Sequence, residues 1–134
     1  MRGIVTWVLG LALAVNGLIM LAFPAAWYVI VPGVEETGAF NPHFIRDIGV
    51  AYLVAGTLLP WFAINPAVRP AAAAGAAFLA LHALVHLWDV MAGREHVHQL
   101  LVDIPTVFLP PVAALWIVWP RASGLLNFSK GEAR

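Results

Sequence analysis

Four long apolar stretches separated by short polar breaks dominate the sequence. They cover about residues 4–30, 42–64, 71–91 and 104–119. A helix needs about 20 mainly apolar residues to cross the hydrocarbon core of a bilayer; the first three stretches reach that length and the fourth falls slightly short. The breaks contain Pro, Gly and Asn, which favour turns. The pattern predicts an all-α fold, an integral membrane four-helix bundle.

The first stretch has a second interpretation, a cleaved signal peptide. Ala22, Ala25 and Ala26 are small enough for a cleavage site. The apolar run is longer than the roughly 7–15 residues that signal peptides use, and a single arginine precedes it. We therefore expect this helix to be retained.

Composition agrees with a membrane protein. Hydrophobic residues make up 62% of the 134 residues and charged residues 10%, whereas soluble domains average about 45–50% and about 25%. The length suits one domain, residues 1–134. The net charge is zero and there is no basic tract, so nucleic acid is not an expected partner. The absence of cysteine excludes disulfides and thiolate metal sites.

The distribution of Lys and Arg predicts the orientation. With four spans, both termini and the middle loop lie on one side of the membrane. That side carries five of the seven basic residues, namely Arg2, Arg69, Arg121, Lys130 and Arg134. The other two loops carry Arg46 and Arg94. The positive-inside rule therefore predicts cytoplasmic termini in a bacterial inner membrane. All five histidines then lie towards the outer, periplasmic side.

The third stretch contains three ionisable residues in an otherwise apolar run. His82, His86 and Asp89 are spaced i, i+4 and i+7, so they share one face of a helix. Ionisable groups at this depth are costly and face protein, water or an ion. Two histidines one turn apart can bind one metal ion, with Asp89 as a third ligand or as the group that orients an imidazole. A proton or polar network, or purely structural histidines, would explain the same spacing.

Further metal-ligand candidates lie at the same level of the membrane. His43 and Asp47 are one turn apart at the start of the second span, where an Asn-Pro pair predicts a capped helix. His96 and His98 alternate, so an extended loop would point both towards one ion. Asp103 precedes the fourth span. Each candidate has a competing interpretation. His43 and Asp47 could simply mark a helix start at the membrane interface. His96 and His98 could lie in a solvated loop, and Asp103 could cap the fourth helix.

The remaining charged residues of the outer loops are interpreted as surface groups: Glu35, Glu36, Arg94 and Glu95. Histidine and carboxylate ligands without thiolates suit zinc, iron or Cu(II). Haem is not expected, because its axial histidines normally come from opposing helices and only the third stretch places His deep in the membrane.

The second span carries the glycine-rich segment Arg46-Asp47-Ile48-Gly49-Val50-Ala51-Tyr52-Leu53-Val54-Ala55-Gly56. With four short spans, the plan resembles the DoxX-like group of small bacterial membrane proteins. The resemblance implies a four-helix membrane fold. It implies no functional residues, since the His-x3-His-x2-Asp run is not a feature associated with that group.

The functional hypothesis is a small membrane protein with a His/Asp metal site in the outer half of its bundle. Such a site would serve a metal-dependent oxidoreductase that acts on a lipophilic small molecule. Two alternatives stay open. One is a non-catalytic subunit that binds a membrane protein partner or a second copy of the chain, and the other is a bundle that binds lipid or quinone.

Overall fold

The computed structural model describes residues 1–120, and this part of the chain is all-helical. Its helices are α1 (Arg2–Ala22), α2 (Pro24–Ile30), α3 (Pro42–Ile64), α4 (Arg69–Met91), α5 (Gln99–Asp103) and α6 (Leu109–Val118). Within residues 1–120, four segments are long and apolar enough to cross a membrane: Arg2–Ala22, Pro42–Ile64, Pro66–Met91 and Gln99–Val118. Arg121, Lys130 and Arg134, which entered the charge count, lie outside the described residues.

Two predicted stretches differ from the observed helices. The first is divided at Phe23, because Pro24 begins a separate short helix, α2. The fourth begins earlier than predicted, at Gln99, and a π-helical segment, Ile104–Phe108, joins α5 to α6. Three prolines between 105 and 111 lack the N–H that a regular α-helix would use there.

The start of α3 has the cap that the sequence predicts. The Asn41 side chain accepts hydrogen bonds from the backbone N–H of His43 and of Phe44, both at 3.1 Å. Pro42 occupies the first helical position, where its missing N–H costs nothing. This cap places His43 and Asp47 in the first turns of the helix.

Helices α1 and α3 pack with their backbones in close contact. Gly10 of α1 faces Gly56 of α3, and Gly17 faces Gly49, as expected for antiparallel neighbours. A β-carbon added at Gly56 would collide with the backbone of Ala14, and one added at Gly49 would lie 2.8 Å from the Met20 β-carbon. Small residues permit this approach in membrane helices. Helix α4 packs between α3 and α6.

Contacts between chain segments define the two ends of the bundle. At one end the Arg2 guanidinium lies 4.6 Å from the centre of the Trp116 ring, and Arg69 Nε donates to the Val118 carbonyl at 2.8 Å. At the other end Gly33 packs against the side chain of Gln99. The loops 31–41 and 92–98 therefore share this second end, which we call the histidine end.

Candidate metal centre

Three side chains converge at the histidine end. His86 of α4, Glu95 of the loop 92–98 and Asp103 of α5 each offer one ligand atom, and these atoms lie within 4.8 Å of one another. Imidazole nitrogen and carboxylate oxygen both coordinate zinc and iron. The geometry therefore identifies these residues as a candidate metal centre.

Asp103 is the most enclosed member of the centre. Its Oδ2 lies 2.9 Å from His86 Nδ1, and the exposed fractions of the two side chains are 4% and 16%. Its Oδ1 accepts a hydrogen bond from Gln99 Nε2 at 3.1 Å. Asp103 makes no side-chain cap bond to the helical segment that follows it, so the cap interpretation does not apply.

Glu95 is partly buried and carries an unsatisfied atom. Its Oε2 is inaccessible and has no hydrogen-bond partner within residues 1–120. Burial raises the pKa of the Glu95 carboxyl; Asp103, Asp89 and Glu36 raise this pKa too, while His86 opposes them. A buried carboxylate without a partner is costly. Binding a cation or a proton would relieve that cost.

The turn after α4 brings Glu95 to the centre. Gly93 has a φ of 70°, which favours glycine, and it lets the chain reverse after Met91. The backbone N–H of Arg94 then donates to the Asp89 carbonyl at 2.9 Å. The Arg94 side chain bonds to the Asp89 carboxylate, with Nη1 2.8 Å from Oδ1. These contacts hold the loop over the end of α4, so that Glu95 points towards His86.

The loop 31–41 packs against Gln99, the residue that bonds to Asp103 of the centre. Gly33 has a φ of 84°, and a β-carbon at this position would collide with the Gln99 side chain. Gln99 is 2% exposed. The Gln99 amide donates to the Asp103 carboxylate, so the loop 31–41 is linked to this ligand candidate through Gln99.

His82 lies beside the centre, one turn from His86. The two imidazole rings are 4.9 Å apart between centroids and meet edge to face. On its other sides His82 contacts Tyr52, at 5.7 Å, and Phe78, at 6.0 Å. The i, i+4 spacing thus gives the shared face that it predicts. The group of three ligand atoms contains His86 and not His82.

The other predicted ligands lie elsewhere at the histidine end. Asp89 is paired with Arg94, as described above. His43 Nε2 and Asp47 Oδ2 are 3.5 Å apart on an exposed surface of α3, with side-chain exposures of 87% and 62%. His96 and His98 are exposed in the loop, with their rings stacked 5.8 Å apart.

Of the eight predicted ligands, the structure thus brings together His86 and Asp103. It adds Glu95, which the sequence interpretation treated as a surface group. The signal that could have indicated this role is the Ala-Gly turn just before Arg94, which folds the loop back over α4.

No protein family, no curated protein and no solved structure matches this chain. The resemblance to the DoxX-like group stays a prediction from the sequence.

Proposed function

We propose that this chain is an integral protein of a bacterial inner membrane that binds a divalent metal ion through His86, Glu95 and Asp103. The observation that carries the proposal is the inaccessible Oε2 of Glu95, which has no partner within residues 1–120 and lies beside a buried carboxylate. The four apolar helices support the membrane location.

The charge of the cluster favours a cation. Two ionised carboxylates carry two negative charges, and a protonated His86 would neutralise one of them. The guanidinium of Arg94 is engaged with Asp89 and does not supply the second positive charge. A divalent ion would neutralise both carboxylates with His86 neutral, which is the form of imidazole that coordinates metals.

One imidazole and two carboxylates are best suited to zinc or ferrous iron. Zinc centres with three protein ligands keep a further position for water or substrate. When bound, such an ion acts as a Lewis acid towards an oxygen of the substrate. The surrounding residues would hold the ligands in place: Gln99 fixes Asp103, and the turn at Gly93 fixes Glu95.

Metal analysis of the full chain, purified in a mild detergent, tests the proposal. We expect about one equivalent of zinc or iron per chain. The variants Glu95→Gln, Asp103→Asn and His86→Gln should each lower the affinity for Zn²⁺ by a factor of at least about 10–100. Isothermal titration of the chelator-treated protein with Zn²⁺ measures that affinity.

The exposed His43–Asp47 pair provides the matched control, since it has the same residue types at the same end of the bundle. His43→Gln and Asp47→Asn should leave Zn²⁺ affinity unchanged. The proposal is wrong if the wild-type protein binds no stoichiometric metal, or if the control variants lose as much affinity as the variants of the centre.

An apolar groove favours a second candidate function, the binding of a lipid or quinone. The groove has a volume of about 340 Å³ and lies between α1 and the segment 105–113. Mass spectrometry of lipids that co-purify with the protein tests this function, and Val8→Trp, which fills the groove, should reduce their amount.

A further inference from the structure

A cleft opens beside the candidate metal centre. It has a volume of about 320 Å³ and is lined by Glu36, Arg94, Glu95, His96 and His98. Glu95 belongs both to the cleft and to the centre. Glu95 therefore connects the lining of the cleft, at the exposed loop 92–98, with the buried ligands.

The protein encloses the centre on its other sides. The Asp103 side chain is 4% exposed and that of His86 is 16% exposed. Gln99, which is 2% exposed, covers Asp103 and is backed by Gly33. Within the part of the chain that the structure describes, the cleft thus gives a polar approach to Glu95.

The cleft contains side chains that can bind a cation before it reaches the candidate metal centre. His96 and His98 are exposed, and their rings stack at 5.8 Å with an angle of 26° between their planes. Glu36, from the opposite loop, adds a carboxylate. Arg94 also lines the cleft, but its guanidinium is bonded to Asp89. With neutral histidines, two carboxylates and one guanidinium leave the cleft with a net negative charge, which attracts cations.

We propose that this cleft is a loading site, in which a divalent cation binds first to His96 and His98 and then passes to Glu95. The proposal rests on the metal-binding function proposed above. Exchange of water ligands for imidazole at the surface lets the ion lose its hydration shell in steps. Glu36 raises the local cation concentration without contacting the buried ligands.

Kinetics of Zn²⁺ exchange test the loading site. The full chain in detergent is mixed with Zn²⁺ in a stopped-flow instrument, and a chromogenic chelator reports uptake and release. In the double variant His96→Gln/His98→Gln the ion loses both imidazole ligands on its path, and we expect both rates to fall by about tenfold, the lower end of the effect of removing groups that support metal binding. The affinity should stay unchanged, because a group on the path alters both directions equally. Glu36→Gln, which removes a negative charge from the cleft, should slow uptake by about tenfold, the lower end of the acceleration that charged clefts provide.

His43→Gln is the matched control, since this exposed histidine lies at the same end but outside the cleft, and its rates should equal those of the wild type. The loading site is refuted if the double variant exchanges Zn²⁺ at the wild-type rates. It is also refuted if the affinity falls while the uptake rate is unchanged, because His96 and His98 would then be ligands of the centre itself. A wild-type protein that binds neither zinc nor iron would instead overturn the metal-binding function, and the loading site with it.

Discussion

Replacing Glu95 by Gln is expected to stabilise the metal-free protein while it weakens metal binding. The ligand atoms of Glu95 and Asp103 lie within 4.8 Å of each other. Two unit charges at that distance repel by about 3.5 kcal/mol at an effective dielectric constant of about 20. His86, which lies 2.9 Å from Asp103, favours the ionised form of Glu95 and so offsets part of this repulsion. We therefore expect a net gain of about 1–2 kcal/mol in the free energy of unfolding.

The pH dependence of this gain follows from the raised pKa of Glu95. At low pH the carboxyl is protonated in both folded and unfolded protein, so wild type and variant should be equally stable. As the pH rises above the ordinary value of 4.5, the unfolded state ionises first. The metal-free wild-type protein therefore loses stability with rising pH until the folded-state pKa is passed. Glu95→Gln does not lose stability in this way. The difference in free energy of unfolding between the variant and the wild type should therefore grow as the pH rises from 4.5 to the folded-state pKa of Glu95.

Thermal unfolding in detergent, followed by the fluorescence of the six tryptophans, measures the effect. After chelation, Glu95→Gln should unfold about 4–8 °C above the wild type at neutral pH. Added Zn²⁺ should raise the midpoint of the wild type by more than that of the variant, because the variant has the lower affinity. Glu35→Gln, in the neighbouring loop, is the control and should match the wild type. An equal or lower midpoint for metal-free Glu95→Gln would refute the argument from charge repulsion.

Three further predictions concern packing, support of the ligands and acid sensitivity. Gly56→Ala should lower the free energy of unfolding by about 1–3 kcal/mol, because the added β-carbon collides with the backbone of α1. Gly3→Ala is the control: its β-carbon meets nothing within 4 Å, so the variant should be neutral in the same thermal assay. Gln99→Leu should lower Zn²⁺ affinity at least about tenfold by releasing Asp103, and an unchanged affinity in calorimetry would contradict a positioning role. Zn²⁺ affinity should fall as the pH is lowered, because protons compete for all three ligands; a pH-independent affinity would exclude the proposed ligand set.

The helical part of the fold could be predicted from the sequence because hydropathy and local signals determine it. The four apolar stretches and the Asn41 cap depend on neighbouring residues alone. The shared face of His82 and His86 follows from helical periodicity. The extension of the fourth segment back to Gln99 could not be predicted in this way, since polar Gln and Asp side chains enter a helix there only because they bond to each other and to His86.

The composition of the centre could be predicted only in part. His86 and Asp103 are recognisable as ionisable groups next to apolar segments. Glu95 stands in a run of charged and polar residues that resembles any solvated loop. Its burial results from the chain reversal at Gly93 and from the contact between Arg94 and Asp89, which depend on the three-dimensional path of the loop. For the same reason the exposed His43–Asp47 pair could not be distinguished from a ligand pair by spacing alone.

The close backbone contact between α1 and α3 has a consequence for the order of assembly. Its glycines lie between Gly10 and Gly56, whereas the ligand candidates lie between His86 and Asp103. During synthesis from the N-terminus, the paired helices are complete before any ligand leaves the ribosome. If the centre binds a metal ion as proposed, a shortage of metal would leave this early helical hairpin intact and affect the later segments that carry the ligands.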